Sequence, residues 1–169
     1  MKIISRSAAQ TKKIAAKLAK HLLNVKSGPS TRAEFCVGHG TRHATVVAMT
    51  GDLGAGKTTF VQGFAKAFGI KHRMVSPTFL IFRSYPLSSS LRSRYKREKQ
   101  SYRFFYHVDL YRIHNIKELE VLNFKSILLS PFNIVLIEWA EKIKKLLPKG
   151  TIWVNLNHGR KENERIITY

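Results

Sequence analysis

The sequence contains a single cysteine, Cys36, and no apolar run long enough to cross a membrane. One cysteine cannot form an internal disulfide, which favours a reducing compartment, and no CxxC zinc pair or thiol-catalysis motif accompanies it. A membrane-spanning helix needs about 20 mainly apolar residues, so we expect no insertion into a membrane. These absences predict a cytoplasmic protein that uses neither zinc nor thiol chemistry.

Negative charge is also scarce. Ten Asp and Glu oppose thirty Lys and Arg, which gives a formal net charge of +20. A positive field of this size attracts polyanions such as RNA through electrostatic steering and counterion release. We therefore predict contact with RNA or with an acidic partner. The alternative is a basic composition that serves only solubility.

The first 33 residues carry eight Lys and Arg and no acid. That composition is typical of organellar transit peptides, but the same stretch also predicts an amphipathic helix over residues 8–23. The apolar stripe of this helix contains Ile14, Ala15, Leu18, Ala19 and Leu22, with lysines on the opposite face. We favour the helix over the targeting segment.

A complete phosphate-binding P-loop occupies residues 51–58, which read Gly-Asp-Leu-Gly-Ala-Gly-Lys-Thr. Its glycines let consecutive backbone N–H groups curve around phosphate oxygens without a Cβ atom in the way. Lys57 supplies positive charge to the β- and γ-phosphates, and the Thr58 hydroxyl is a ligand for Mg²⁺. The predicted nucleotide-binding residues of this loop are Gly51, Asp52, Leu53, Gly54, Ala55, Gly56, Lys57, Thr58 and Thr59.

The flanks of the loop fit the motif. Residues 44–50 are a short apolar, β-branched run, which predicts a buried strand. Downstream, Phe60, Phe64 and Phe68 recur every fourth residue on one helix face, and Gly69 marks the end of that helix. A strand, a glycine loop and a helix in this order direct a helix N-terminus at a phosphate. The sequence therefore predicts a bound nucleoside triphosphate with Mg²⁺.

The remainder of the chain alternates strands and helices and ends in a hairpin. The predicted elements are a Pro-marked turn running into an apolar strand (75–82), strands at 104–110, 133–137, 151–157 and 165–169, and a short helix at 140–147. Asn115 and Glu118 are predicted to form a helix-capping pair, and the residues expected to face inward from that helix are Ile116, Leu119, Leu122 and Phe124. This order predicts an α/β protein with the P-loop NTPase fold, in which helices flank a mostly parallel central sheet with antiparallel C-terminal strands. We expect one domain over residues 1–169.

Two basic insertions interrupt this pattern, at about residues 24–43 and 86–103. The second has a single acid, Glu98, among many Lys and Arg, and it includes Tyr95 and Tyr102. Aromatic rings between positive charges favour stacking on bases. The alternative is a solvated tether without a binding role.

Two acids occupy positions suited to chemistry. Glu138 ends the predicted buried strand, where P-loop folds place an acid at the carboxyl edge of the sheet, and an unpaired carboxylate there is unfavourable. We predict that Glu138 is either linked to the metal or activates water; the alternative is an acid paired with a lysine. Asp109 shares a strand face with His107 and Tyr111 and is the second predicted catalytic or metal-binding acid. Its alternative is a polar strand edge.

Ser76 and Thr78 lie in a Ser-Pro-Thr-Phe turn. A threonine in such a turn can respond to the γ-phosphate as a switch residue does, and the alternative is an ordinary hydroxyl-stabilised turn. Trp139 follows Glu138 directly and is predicted to lie in the core, at the nucleotide or at a partner surface.

Four motifs in this order resemble the TsaE family of bacterial P-loop ATPases, formerly described as YjeE-type. The motifs are Gly51-Asp-Leu-Gly-Ala-Gly-Lys-Thr-Thr59, Val75-Ser-Pro-Thr-Phe79, His107-Val-Asp-Leu-Tyr-Arg112 and Ile137-Glu-Trp-Ala-Glu141. The P-loop alone indicates only an NTPase, whereas the other three motifs are specific. The resemblance covers most of residues 8–23 and 44–169, and both basic insertions depart from it.

The resemblance implies slow hydrolysis of ATP with Mg²⁺ during the N6-threonylcarbamoyl modification of adenosine 37 in tRNA. It implies partnership with TsaD and TsaB homologues, and contact with tRNA either directly or through that complex. It also implies that Lys57 and Thr58 hold phosphate and Mg²⁺. Asp109 and Glu138 would be the essential acids, and Trp139 would lie beside the nucleotide or the partner.

Two other functions remain open at this stage. A small-molecule kinase needs the same P-loop, Mg²⁺ and a base such as Asp109, but it also needs an acceptor pocket and a lid. The second open function is that of a basic RNA-binding protein with a degenerate nucleotide site. The intact Lys57, Thr58 and Glu138 argue against it.

Overall fold

The computed structural model describes residues 1–24, 43–87 and 102–169. The strands are β1 (Lys2–Ser5), β2 (Thr45–Thr50), β3 (Phe82–Pro86), β4 (Phe104–Asp109), β5 (Asn133–Glu138), β6 (Ile152–His158) and β7 (Arg165–Thr168). The helices are α1 (Ala8–Asn24), α2 (Lys57–Ala67), α3 (Lys117–Val121) and α4 (Phe124–Leu129), and a 3₁₀ segment covers Ala140–Leu146. Most of both predicted insertions, including Tyr95, lies outside the described residues.

The strands form one sheet in the order β1-β7-β6-β2-β5-β4-β3. Strand β2 pairs in parallel with both β5 and β6, and β4 pairs in parallel with β5. The pairs β6–β7, β1–β7 and β3–β4 are antiparallel. The predicted α/β fold with a parallel centre and an antiparallel C-terminal hairpin is confirmed, and the parallel pairing brings the carboxyl ends of β2, β4 and β5 to one edge.

Two hydrophobic layers cover the sheet. Helices α1 and α2 lie on one face, where the side chains of Phe60, Phe64 and Phe68 are fully buried as their spacing predicts. The α1 stripe is buried against the same face. Gly63 allows the two helices to approach, because a Cβ atom there would lie 2.3 Å from the carbonyl oxygen of Lys12. Helices α3 and α4 and the 3₁₀ segment cover the opposite face.

Helix α1 begins at a local capping arrangement. The backbone N–H of Gln10 donates to the Ser7 hydroxyl at 3.1 Å, and the Gln10 side-chain oxygen accepts from the Arg6 N–H at 2.8 Å. These bonds satisfy donors that a helix N-terminus leaves free. None of the helices in the described ranges has the length and hydropathy of a membrane span.

The apolar strand predicted within residues 75–82 is wrong. Residues 78–80 form a turn, Phe79 is 81% exposed, and strand β3 begins only at Phe82 and continues to Pro86. The apolar run misled because Phe79 does not pack into the core; its ring stays exposed, with the Arg112 guanidinium 4.0 Å from the ring centroid. Strand β3 is an edge strand, which explains its polar sequence and its tolerance of Pro86.

Other local predictions also need correction. Tyr102 is part of the fold rather than of a base-stacking insertion, because its hydroxyl bonds Thr45 Oγ1 at 2.8 Å and its ring meets Phe68 edge-on. Burial raises the pKa of the Tyr102 phenol. Ile116 is exposed and takes the N-cap position of α3, one residue after the predicted cap Asn115. Asn115 and Glu118 still interact, because the Asn115 N–H donates to Glu118 at 2.8 Å. Strand β1 was missed, because four residues carry little pattern and depend on β7 for pairing.

Candidate nucleotide-binding site

The P-loop joins the carboxyl end of β2 to the amino end of α2. Gly51 has a φ of 127°, and a Cβ atom there would lie 1.9 Å from the carbonyl oxygen of Leu156. Gly56 has a φ of 96°, and a Cβ atom there would meet nothing within 4 Å. Gly51 is therefore required by packing, whereas Gly56 is required by conformation and borders free space that a phosphate can enter.

The Lys57 side chain is buried beneath this loop, with 4% of its surface exposed. Its ammonium donates to the backbone carbonyls of Gly51 and of Asp52, the latter at 2.8 Å. The same ammonium lies 3.7 Å from the centroid of the Trp139 ring. Burial lowers the pKa of Lys57, against the opposing effect of nearby acids of which Glu138 is the strongest. The Lys57 ammonium is thus a weakly solvated cation whose hydrogen-bond partners are neutral carbonyls, an arrangement that favours binding of an anion.

Thr58 and Glu138 are in direct contact. The Thr58 hydroxyl lies 2.9 Å from Oε1 and 3.0 Å from Oε2 of Glu138. Glu138 is the last residue of β5 and is only 3% exposed. Its Oε1 also lies 2.8 Å from Nε2 of the fully buried His107. The alternative of a strand-end acid paired with a lysine does not describe Glu138, whose hydrogen-bond partners here are a threonine and a histidine.

Asp109 and Glu138 are register partners on neighbouring parallel strands. Asp109 Oδ2 accepts from the hydroxyls of Ser76 and of Thr78, the latter at 2.6 Å. Its Oδ1 accepts from the Tyr111 N–H at 2.9 Å. The predicted switch turn is thus attached to one of the two predicted acids, and the P-loop to the other.

A cavity of about 440 Å³ opens between these groups, within the usual range for small-molecule sites. It is lined by Leu53, Gly54, Gly56, Lys57, Thr58, Thr59, Ser76, Thr78, Phe79, Asp109, Tyr111, Arg112, Glu138 and Trp139. The structure therefore brings most predicted site residues to one place. Gly51, Asp52 and Ala55 shape the loop behind it.

Trp139 has an unusual backbone. Its φ is 60°, a left-handed conformation that typically costs about 1–3 kcal/mol in a bulky residue. This turn directs the indole over Lys57 and places it 5.2 Å from the Tyr111 ring. Trp139 lines the cavity and also packs against the edge of the core cluster on the face of helices α3 and α4. Its place beside the nucleotide or a partner stays a prediction.

No group of three or more His, Cys, Asp or Glu in the described parts of the chain is arranged to hold a metal ion. A Mg²⁺ ion in a P-loop site needs no such cage, since one or two protein ligands and the substrate phosphates suffice. The Thr58 hydroxyl, held by Glu138 at the loop's end, is the group that fits this role.

A family model for "Threonylcarbamoyl adenosine biosynthesis protein TsaE" matches residues 5–167, nearly the whole chain. The chain belongs to the TsaE family.

Curated TsaE proteins of bacteria support this assignment. The tRNA threonylcarbamoyladenosine biosynthesis protein TsaE of Haemophilus influenzae is 32% identical over 126 residues, which are 75% of this chain and 71% of that protein. The protein of the same name from Rickettsia prowazekii is 36% identical over 80% of this chain and 84% of its own length. The one from Rickettsia felis is 38% identical over 66% of this chain and 57% of its own length.

A solved structure shows the same fold. The crystal structure of Bacillus subtilis YdiB aligns with a TM-score of 0.59 and 24% identity, covering 99% of this chain and 82% of that one. All four motifs of the TsaE resemblance contribute to the cavity edge of this shared fold.

The sequence did not predict the side chains of β6 and β7 that hydrogen-bond to the P-loop and to the residue before it in this TsaE-family chain. The β6–β7 hairpin places His158 Nε2 3.2 Å from the carbonyl oxygen of Leu53, and Arg165 donates to the carbonyl oxygen of Gly54 at 3.1 Å. Asn155 donates to the Thr50 hydroxyl at 2.8 Å. These partners are more than 100 residues apart in the chain, so no local pattern could reveal them.

Proposed function

We propose that this TsaE-family protein binds ATP with Mg²⁺ in the cavity beside the P-loop and hydrolyses it. In this proposal the protein is the ATPase of the tRNA threonylcarbamoyladenosine modification machinery and drives or resets a complex of TsaB and TsaD homologues. The observation that carries the proposal is the convergence of Lys57, Thr58 and Glu138, with both oxygens of Glu138 within 3.0 Å of the Thr58 hydroxyl.

Binding would begin with the P-loop. The first N–H groups of a helix have no intrahelical partner, so those at the start of α2 are free to bind phosphate oxygens. Lys57 would exchange the carbonyls of Gly51 and Asp52 for phosphate oxygens. This exchange replaces two neutral acceptors by an anion. It is favourable because the Lys57 ammonium is poorly solvated and forms stronger hydrogen bonds with a charged acceptor.

The two acids would then have different tasks. Thr58 would hold Mg²⁺, which stabilises the charge that develops on the phosphates. Glu138 accepts a hydrogen bond from the Thr58 hydroxyl and lies at the cavity, so it suits the role of metal-linked acid or acceptor of a proton from water. Asp109 is held by the Ser76–Thr78 turn and suits the role of reporting on the γ-phosphate.

The proposed partners follow from charge and family. The net charge of +20 favours an RNA-containing or acidic assembly. On the described helices, Lys12, Lys13, Lys17 and Lys20 are exposed on α1, away from the nucleotide cavity. This arrangement would leave the cavity edge available to a protein partner while the basic helix faces solvent.

The decisive experiment measures phosphate release from ATP by the purified protein, alone and with a TsaB–TsaD pair and tRNA. We expect slow release that changes when the pair is added. Turnover that depends instead on a small acceptor, with phosphate appearing on that acceptor, would indicate a kinase. Binding of tRNA with a steep salt dependence and no turnover would indicate an RNA-binding protein.

A second test is Lys57→Met, which keeps most of the unbranched side chain but removes its charge. We expect it to abolish nucleotide binding. Because burial lowers the pKa of Lys57, the folded protein binds that proton less tightly than the unfolded chain does, so the charge opposes folding at neutral pH. The melting temperature of the unliganded Lys57→Met variant should therefore not fall, which thermal denaturation checks. Normal nucleotide affinity in this variant would contradict the proposed site.

A further inference from the structure

We propose that His107 is a positioning residue for hydrolysis, whose Nε2–H fixes the Glu138 carboxylate from beneath the site. This inference rests on the proposed ATPase function and names a residue that does not line the nucleotide cavity. His107 would act on the reaction only through Glu138.

The fold places His107 directly behind the acid. His107 lies on β4, and alternation along that strand puts it on the same sheet face as Phe105 and Asp109. Its register partner on β5 is Leu136, so the imidazole reaches diagonally along β5 to Glu138. The side chain is fully buried, and the distance from Nε2 to Glu138 Oε1 is 2.8 Å.

The proposed role of Glu138 as a metal-linked acid or proton acceptor requires a carboxylate that accepts hydrogen bonds. In this proposal the proton of the bond therefore belongs to Nε2 of His107. The other ring nitrogen, Nδ1, is buried without a hydrogen-bond partner among the described residues. A buried polar atom without a partner is unfavourable, so an apolar side chain would serve packing better than this imidazole. The bond to Glu138 is what distinguishes histidine from an apolar residue here.

The two donors of Glu138 have different roles. Thr58 is the proposed Mg²⁺ ligand, so the contacts of its hydroxyl would change when nucleotide and metal bind or leave. His107 is held in a packed strand, and among the described residues it is the donor to Glu138 that does not line the cavity. It therefore provides a constant anchor for the Glu138 carboxylate while Thr58 interacts with the ligand.

The anchor also separates the two acids. Asp109 and Glu138 are register partners, and adjacent strands lie about 4.8 Å apart, so their charges repel each other. Asp109 is satisfied by Ser76, Thr78 and the Tyr111 N–H. The His107 bond holds Glu138 on the P-loop side, so each carboxylate keeps its own donors.

The test compares His107→Gln with His107→Asn. The amide nitrogen of Gln reaches the position of Nε2, whereas that of Asn reaches only the position of the unpartnered Nδ1. We expect His107→Gln to keep the kcat for ATP within about threefold and His107→Asn to lower it about tenfold or more, as for loss of a hydrogen bond to a charged group. Nucleotide affinity, measured with a fluorescent ATP analogue, should stay within about twofold in both variants, since neither touches the P-loop.

Several outcomes overturn the inference. Equal kcat values in wild type, His107→Gln and His107→Asn would overturn it, as would equal losses in both variants. If His107→Asn does not fold, His107→Leu takes its place, because it also lacks the donor but fills more of the space. A wild-type protein without hydrolysis in the same assay would instead contradict the proposed function.

A measurement without nucleotide tests the hydrogen bond itself. Long-range ¹⁵N–¹H spectra of the labelled wild-type protein should show a proton on Nε2 of His107. A ring with its proton on Nδ1 alone would overturn the inference whatever the activity of the protein.

Discussion

Glu138 and Asp109 end neighbouring strands, yet they are held by different kinds of structure. The partners of Glu138 come from helix α2 and strand β4, both packed in the core. The side-chain partners of Asp109 come from a turn that contains the exposed Phe79. We therefore expect the Glu138 side of the cavity to stay fixed and the Asp109 side to change more readily when a ligand binds.

The turn is attached to the body of the protein mainly at its ends. The Asp109 N–H donates to the carbonyl oxygen of Ile81 at 2.8 Å, and Ile81 has a left-handed φ of 66°. Within the turn, the Leu80 N–H donates to Pro77. Within residues 75–81, Val75, Phe79 and Leu80 are exposed, whereas Pro77 is buried and Ile81 packs against the core. Segments with this much exposed surface lie toward the low end of local stability.

The largest effect is expected for Glu138→Gln. This change keeps the shape of the side chain and an acceptor for Thr58, but it removes the charge and the proton-accepting function. We expect kcat for ATP to fall about 10²–10⁴-fold while nucleotide affinity stays within a few-fold. Single-turnover hydrolysis together with equilibrium binding checks this. Normal turnover in Glu138→Gln would show that the Glu138 carboxylate is not needed for hydrolysis.

Asp109→Asn should have a smaller effect on turnover and a distinct effect on dynamics. An amide cannot accept hydrogen bonds from Ser76, Thr78 and the Tyr111 N–H as a carboxylate does, and bonds to a charged group contribute about 1.5–3 kcal/mol each. Hydrogen exchange over residues 75–81 should therefore accelerate about tenfold or more. Exchange in Glu138→Gln is the control and should match wild type in this segment. Equal protection in both variants would mean that the two sides of the cavity do not differ.

Parts of the site could be predicted because their signals are local. The P-loop is a contiguous motif, and the run before Glu138 is apolar throughout, so both the acid and its place at the sheet edge follow from sequence. The roles of His107, His158 and Arg165 could not be predicted in this way. Each acts on a residue on another element, and only the completed sheet brings the pairs together.

The turn shows why hydrophobicity alone misled. Residues 79–82 read Phe-Leu-Ile-Phe, which is a typical strand signal. In the structure Phe79 and Leu80 are exposed. Strand β4 ends at Asp109 and pairs with β3 only from Phe82 onward, so the residues before Phe82 have no neighbouring strand to pair with on β4. Pairing with a neighbouring strand decides which residues of such a run become extended. The register of that pairing cannot be read from a single-sequence pattern.

The smallest effect is expected for Phe79→Ala. The ring is 81% exposed, and its main contact is the Arg112 guanidinium at 4.0 Å, an interaction of about 0.5–1 kcal/mol at exposed sites. The free energy of unfolding, measured by urea denaturation, should therefore change by less than about 1 kcal/mol. Core substitutions such as Phe64→Ala, the matched control, should lower it by about 3–5 kcal/mol. A loss of that size in Phe79→Ala would mean that the turn is packed as firmly as the P-loop side, and the contrast between the two acids would then lie in their chemistry alone.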